Sequence, residues 1–182
     1  MQRAEARAVG AKRVQLEATR ILGIATEEQG DLDAAPRYHE EALVLAREIG
    51  DRVNERRALN SLGVVAQGRG DYDRAMAYFE ESLAIARAIG DRVGAGTVLG
   101  NMGVQANNLG DYDSAQGFFE ESLQLARETD DQTGVAINLL NLAGVRNQAQ
   151  WSVVGGMLPT IPTIIGGSDA ATPNLWVWLG GR

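Results

Sequence analysis

The segment Gly70–Arg92, GDYDRAMAYFEESLAIARAIGDR, has two near-copies in the same chain, and they constrain its fold more than any other feature. The copy 40 residues upstream, GDLDAAPRYHEEALVLAREIGDR (Gly30–Arg52), matches it at 14 of 23 positions. The copy 40 residues downstream, GDYDSAQGFFEESLQLARETDDQ (Gly110–Gln132), matches at 13 of 23. Neither alignment needs a gap. A fixed period of this size marks a chain built by stacking one supersecondary unit on the next.

Each unit divides into two helical stretches. In the second unit the spacing predicts a helix from about Arg52 to Gln67, with Ala58, Leu59, Leu62, Val65 and Ala66 forming one apolar stripe. GRGD then breaks it. Gly70 suits the left-handed closing conformation, and Asp71 suits the N-cap of a second helix. That helix places Tyr72, Ala75, Phe79, Leu83 and Ala86 on one face and Glu80–Glu81 on another, before Ile89–Gly90–Asp91 repeats the break. A turn this short makes the hairpin antiparallel. Gly23, Gly63 and Gly103 recur inside first helices, where glycine costs about 1 kcal/mol relative to alanine. Ala35, Ala75 and Ala115 recur in the second helices. Small residues at fixed phase predict close contact within each helix pair. A hairpin of this kind buries both faces only against neighbours, which makes an all-α solenoid.

LNSLGVVAQGRGDYDRAMAYFEESL and LGNMGVQANNLGDYDSAQGFFEESL resemble the tetratricopeptide repeat: Leu-x-x-Leu-Gly or its near-match in the first helix, Gly-x-Tyr at the turn, then Ala, Phe and Ser-Leu. The first unit departs from this, with Thr19, Leu32 and His39 where the other units carry Leu, Tyr and Phe. The usual unit is about 34 residues; six more lengthen the helices, as in the branch similar to kinesin light chains, spindle-orientation adaptors and bacterial regulators. The resemblance spans roughly residues 11–148. It implies a right-handed superhelical solenoid of antiparallel hairpins that binds protein on the concave face formed by its first helices.

The repeat phase divides the chain into residues 1–10 (part of a preceding second helix), repeats at 11–50, 51–90 and 91–130, and a lone first helix at 131–150. Ala11 stands where Asp51 and Asp91 cap, and Gln150–Trp151 replaces the next Gly-Asp. Half units at both ends suggest part of a longer array. The remainder, 151–182, holds all three tryptophans and three of the four prolines. Three readings of this tail stay open: a foreign or out-of-frame extension, a short cover over the last helix, or a self-ligand in the groove.

No catalytic set is visible, and no cofactor or metal site is expected. The chain has no cysteine and one histidine, which excludes thiolate chemistry and a His-based metal cluster. His39 takes the place of Phe79 and Phe119, so packing is its expected role. Glu40–Glu41, Glu80–Glu81 and Glu120–Glu121 read as a solvated outer face, and Asp31, Asp71 and Asp111 as caps. RVGAGTVLGNMG lacks the Gly-Lys-Ser/Thr ending of a phosphate loop. The net charge of −7 speaks against nucleic acid. No apolar stretch of about 18 residues spans a membrane, and the cytoplasm is the expected location.

Partner recognition is the remaining chemistry. On the first helices the period brings Arg20, Asn60 and Gly100 into one row; Ile21, Ser61, Asn101 and Asn141 into a second; and Ile24, Val64, Val104 and Gly144 into a third. Glu27, Gln67, Asn107 and Asn147 form the next, followed by Glu28, Gly68, Asn108 and Gln148. Side-chain amides beside a small apolar strip can bond an extended peptide's backbone. The candidate ligand residues are therefore Arg20, Asn60, Gln67, Asn101, Val104, Asn107, Asn108, Asn141 and Asn147. The competing reading is that these amides merely solubilise the concave surface or bond between neighbouring helices. The expected function is a non-enzymatic protein- or peptide-binding scaffold, a module of a larger bacterial regulator. The alternative is a structural module that contacts neighbouring domains or copies of itself through its ends.

Overall fold

The computed structural model describes residues 2–31 and 33–157, with side chains described over 6–31 and 33–148. Seven helices follow one another among these residues: α1 (Gln2–Glu28), α2 (Ala35–Ile49), α3 (Arg52–Gly68), α4 (Tyr72–Ile89), α5 (Arg92–Asn108), α6 (Tyr112–Glu128) and α7 (Gln132–Met157). Each helix packs chiefly on the one before and the one after it, and α5 also touches α3 and α7. The result is an all-α solenoid.

The breaks fall every 20 residues. Gly30, Gly50, Gly70, Gly90 and Gly110 all have positive φ, between 69° and 79°, and Asp130 takes the same role at 55°. Asp51, Asp71, Asp91 and Asp111 cap the helices that follow, each accepting from the backbone N–H three residues on. The first unit differs. Asp31 accepts from the N–H groups of Asp33 and Ala34, and α2 starts only at Ala35, with Pro36 in its first turn. Proline is tolerated in the first turn of a helix, where its missing N–H has no partner within the helix. Leu32 lies outside the described residues.

At the ends the 20-residue rhythm fails. No turn sets off residues 1–10, because α1 runs unbroken through Gly10 and Ala11. Glycine without a capping aspartate after it does not end a helix. Likewise α7 continues past Gln150, which offers neither a left-handed glycine nor a cap, to Met157. Of the tail at 151–182, residues 158–182 lie outside the described residues, and its three readings fall there.

Three apolar clusters line the stack, and each is shared between units. Leu16, Leu43, Leu59, Leu62 and Ile85 belong to the first, Phe79, Leu83, Val98, Leu99 and Met102 to the second, and Phe119, Leu123, Leu142 and Val145 to the third. The recurring glycines are sockets for the recurring rings. A Cβ on Gly103 would sit 2.6 Å from Phe119 Cε1, one on Gly23 2.6 Å from His39 Cε1, and one on Gly63 would meet Phe79 as closely. His39 is thus a packing residue, fully buried, with Nε2 3.3 Å from Glu27 Oε2.

Candidate functional site

Two hollows open along the odd-numbered helices. The first, about 210 Å³, is lined by Arg20 and Ile24 of α1, by Asn54, Arg57, Asn60 and Ser61 of α3, and by Thr97 of α5. The second, about 300 Å³, lies over α5 and α7, with Val93, Gly96, Thr97, Gly100, Asn101 and Val104 on one side and Ile137, Asn138 and Asn141 on the other. Thr97 borders both. Asn101 and Asn60 join them, since Asn101 Nδ2 donates to Asn60 Oδ1 at 2.9 Å.

Five of the nine candidate residues line these hollows: Arg20 and Asn60 the first, Asn101, Val104 and Asn141 the second. Gln67, Asn107, Asn108 and Asn147 line neither. Gln67 and Asn107 are half-buried at the far end of their helices, while Asn108 and Asn147 are exposed there. The Asn60–Asn101 bond is the cross-helix amide contact considered as the competing reading, and it leaves capacity. Each amide has two donors and an acceptor, so Asn60 Nδ2 and Asn101 Oδ1 remain for a further partner.

Charge along the face is uneven. Arg20 is tied to Glu17 of its own helix, with Nε donating to Oε2 at 3.0 Å. That hydrogen bond holds Glu17 below the ordinary carboxylate range and Arg20 above the ordinary arginine range. Arg57 is exposed and has no ion-pair partner among the described residues. Arg56 is buried; its Nε lies 2.9 Å from Asp91 Oδ2, and desolvation pulls its pKa down against the pull of that carboxylate.

Sequence reasoning passed over Asn54, Arg56, Arg92, Thr97, Ile137 and Asn138. The signal available for the second hollow was the register: Gly96 and Gly100 replace Arg56 and Asn60 forty residues on, removing two long side chains from one place. The glutamate pairs lie on the exposed face expected of them. There Arg47 Nη2 pairs with Glu81 and Arg87 Nη2 with Glu121, both at 2.6 Å, tying successive second helices together. Among the described residues no group of three or more His, Asp or Glu could hold a metal, and no helix is long and apolar enough to cross a membrane.

The described residues form a helical-hairpin solenoid with an amide-lined face, and sequence comparison finds family models that match parts of it. Residues 15–88 match the tetratricopeptide repeat model, and residues 96–148 match the model described as anaphase-promoting complex subunit 5. No curated protein sequence matches the chain. Among solved structures it is similar to BtubC (BKLC) from P. vanneervenii, with TM-score 0.69 and 17% identity over 90% of this chain and 72% of that one. It is also similar to the apo form of RapI, with TM-score 0.68 and 17% identity over 86% of this chain and 47% of that one. The chain therefore spans less than half of RapI's length. At this identity the likeness is one of fold. The array has the fold of a tetratricopeptide-repeat solenoid.

Proposed function

We propose that this chain is a non-enzymatic scaffold that holds an extended segment of a partner protein across the faces of α1, α3, α5 and α7. The observation that carries this reading is the Asn60–Asn101 bridge between two open hollows. It presents one free donor and one free acceptor, the complement of a peptide group. Shallow space on either side leaves room for the partner's side chains. The longer RapI chain supports a further step, that this array is one module of a larger cytoplasmic regulatory protein. On the even helices Glu81 and Glu121 are already engaged with Arg47 and Arg87.

Association through the ends is the second reading, favoured by Leu139. It is 47% exposed, whereas its counterparts Leu59 and Leu99 are at 0% and 1%. Yet α1 and α7 are both first helices of the repeat, so two copies cannot continue the array in register. Asn60→Ala/Asn101→Ala/Asn141→Ala, in the full chain, separates the readings. With helicity unchanged by circular dichroism, the triple variant should lose the partner that the parent chain captures from lysate. Capture unchanged in the variant but lost in Leu139→Asp would move recognition to the end of the stack.

A further inference from the structure

The capping aspartates of the odd helices are equivalent under the 40-residue repeat, but their outer carboxylate oxygens are not equally served. Asp51 Oδ2 accepts from Asn54 Nδ2 at 3.0 Å. Asp91 Oδ2 lies 2.9 Å from Arg56 Nε. Asp131 caps α7 through Oδ1, which accepts from Gly134 N at 2.9 Å, and its Oδ2 has no side-chain partner among the described residues. The reason is in the register. Gly134 stands where Asn54 stood, and Gly96 stands where Arg56 stood.

The two glycines leave space as well as an unpaired charge. A Cβ on Gly94 would meet the Arg56 guanidinium at 2.7 Å, whereas one on Gly134 would meet only Asp131 and Ala126 as its nearest neighbours. The place a guanidinium fills beside α5 is thus vacated beside α7, and it belongs to the 300 Å³ hollow that Asp131 lines. A second acceptor waits there. Asn138 is 5% exposed, and its Nδ2 donates to Ser122 Oγ and to the Gly134 carbonyl, both at 2.9 Å. That leaves Asn138 Oδ1 buried without a partner. Such an acceptor is costly unless a donor reaches it. The other charges at this hollow cancel, since Arg92 Nη1 pairs with Glu128 Oε2 at 2.9 Å.

We infer that the hollow between α5 and α7 is a pocket for an arginine side chain of the partner. Its guanidinium repeats the role of Arg56, pairing with Asp131 Oδ2 and donating to Asn138 Oδ1. This rests on the scaffold reading for the source of the arginine, but the pocket's chemistry can be tested without any partner. Gly96→Arg supplies the missing side chain in cis, at the position Arg56 holds one repeat earlier. Gly96→Ala controls for helix propensity, because a Cβ there meets nothing closer than 3.7 Å. Asp131→Asn keeps an equally good cap and removes the charge. Gly96→Arg should melt above Gly96→Ala, and Asp131→Asn should erase the difference. In titrations of the full chain followed by NMR, N-acetyl-arginine amide should give saturable shifts at Gly96, Gly134 and the Asn138 side chain. The neutral isostere N-acetyl-citrulline amide should give none, and Asp131→Asn should weaken the arginine response at least about tenfold. Equal melting of Gly96→Arg and Gly96→Ala, or equal response to arginine and citrulline, overturns the pocket and leaves the scaffold reading standing. Loss of capture in the amide triple variant bears only on the latter.

Discussion

Gly63 and Gly96 are both glycines inside helices, and alanine should move stability in opposite directions at the two. At Gly96 a Cβ meets only ordinary contacts, so the substitution should add up to about 1 kcal/mol from helix propensity. At Gly63 the Cβ would be driven into the Phe79 ring, whose own burial is complete. Overpacking there costs about 1–3 kcal/mol, and at so close an approach it should exceed the propensity gain. Urea midpoints of the two variants check this directly; a stabilised Gly63→Ala would remove the socket from the account. Asp111 gives a pH dependence. The side chain and then the backbone N–H of Ser114 hold its carboxyl below the ordinary range. A carboxyl depressed in the folded state contributes stability above its unfolded pKa of about 3.9 and loses it as pH falls through the folded value. Stability should therefore fall as pH drops below about 3.9, and less steeply in Asp111→Asn, which keeps a cap but does not titrate. Identical acid limbs by urea unfolding would contradict the assignment.

At the scale of the helix, ends are made by pairs of residues, a left-handed position followed by a capping aspartate. Five glycines and Asp130 supply the first, and at every turn but the one before α2 the aspartate one place on supplies the second. This grammar was legible in the sequence, as were α3 to α6 and the glycine sockets. Two helices were not. Ala11 and Gln150–Trp151 stand where the repeat would place a turn, and α1 and α7 run on through them. The same helix shows why a face cannot be taken from spacing alone. Leu139 and Leu142 are three residues apart, yet Leu142 is 7% exposed and packs in the third cluster with Phe119. Leu142→Ala should cost about 2–5 kcal/mol by leaving a cavity. Leu139→Asp should stay within about 0.5 kcal/mol, as at an ordinary surface site. Comparable losses in thermal or urea unfolding would mean that α7 is rotated from its place here.

At the scale of the molecule, a 40-residue translation relates the core rows of the repeats but not the outward rows of the odd helices. Rows that are uniform in the core change character across the odd helices: Glu17, Arg57, Thr97 and Ile137 in one, Arg20, Asn60, Gly100 and Leu140 in another. The core rows repeat because each hairpin must fit the next, and that constraint made the fold readable. The face is free of it, so its hollows arise from departures from the repeat, and the relevant partners sit 35 or 41 residues apart, as in Arg56–Asp91 and Asn60–Asn101. Such pairs become visible only once the helices are stacked. The absence of native cysteine allows the most direct test of where the partner lies. Single cysteines at Asn60, Asn101 and Asn141, and others at Glu80 and Glu120, would carry a photocrosslinker into the full chain bound to its captured partner. Adducts from the three odd-helix positions and none from the two even-helix positions are the predicted result; adducts chiefly from Glu80 and Glu120 would place recognition on the opposite face and contradict the account.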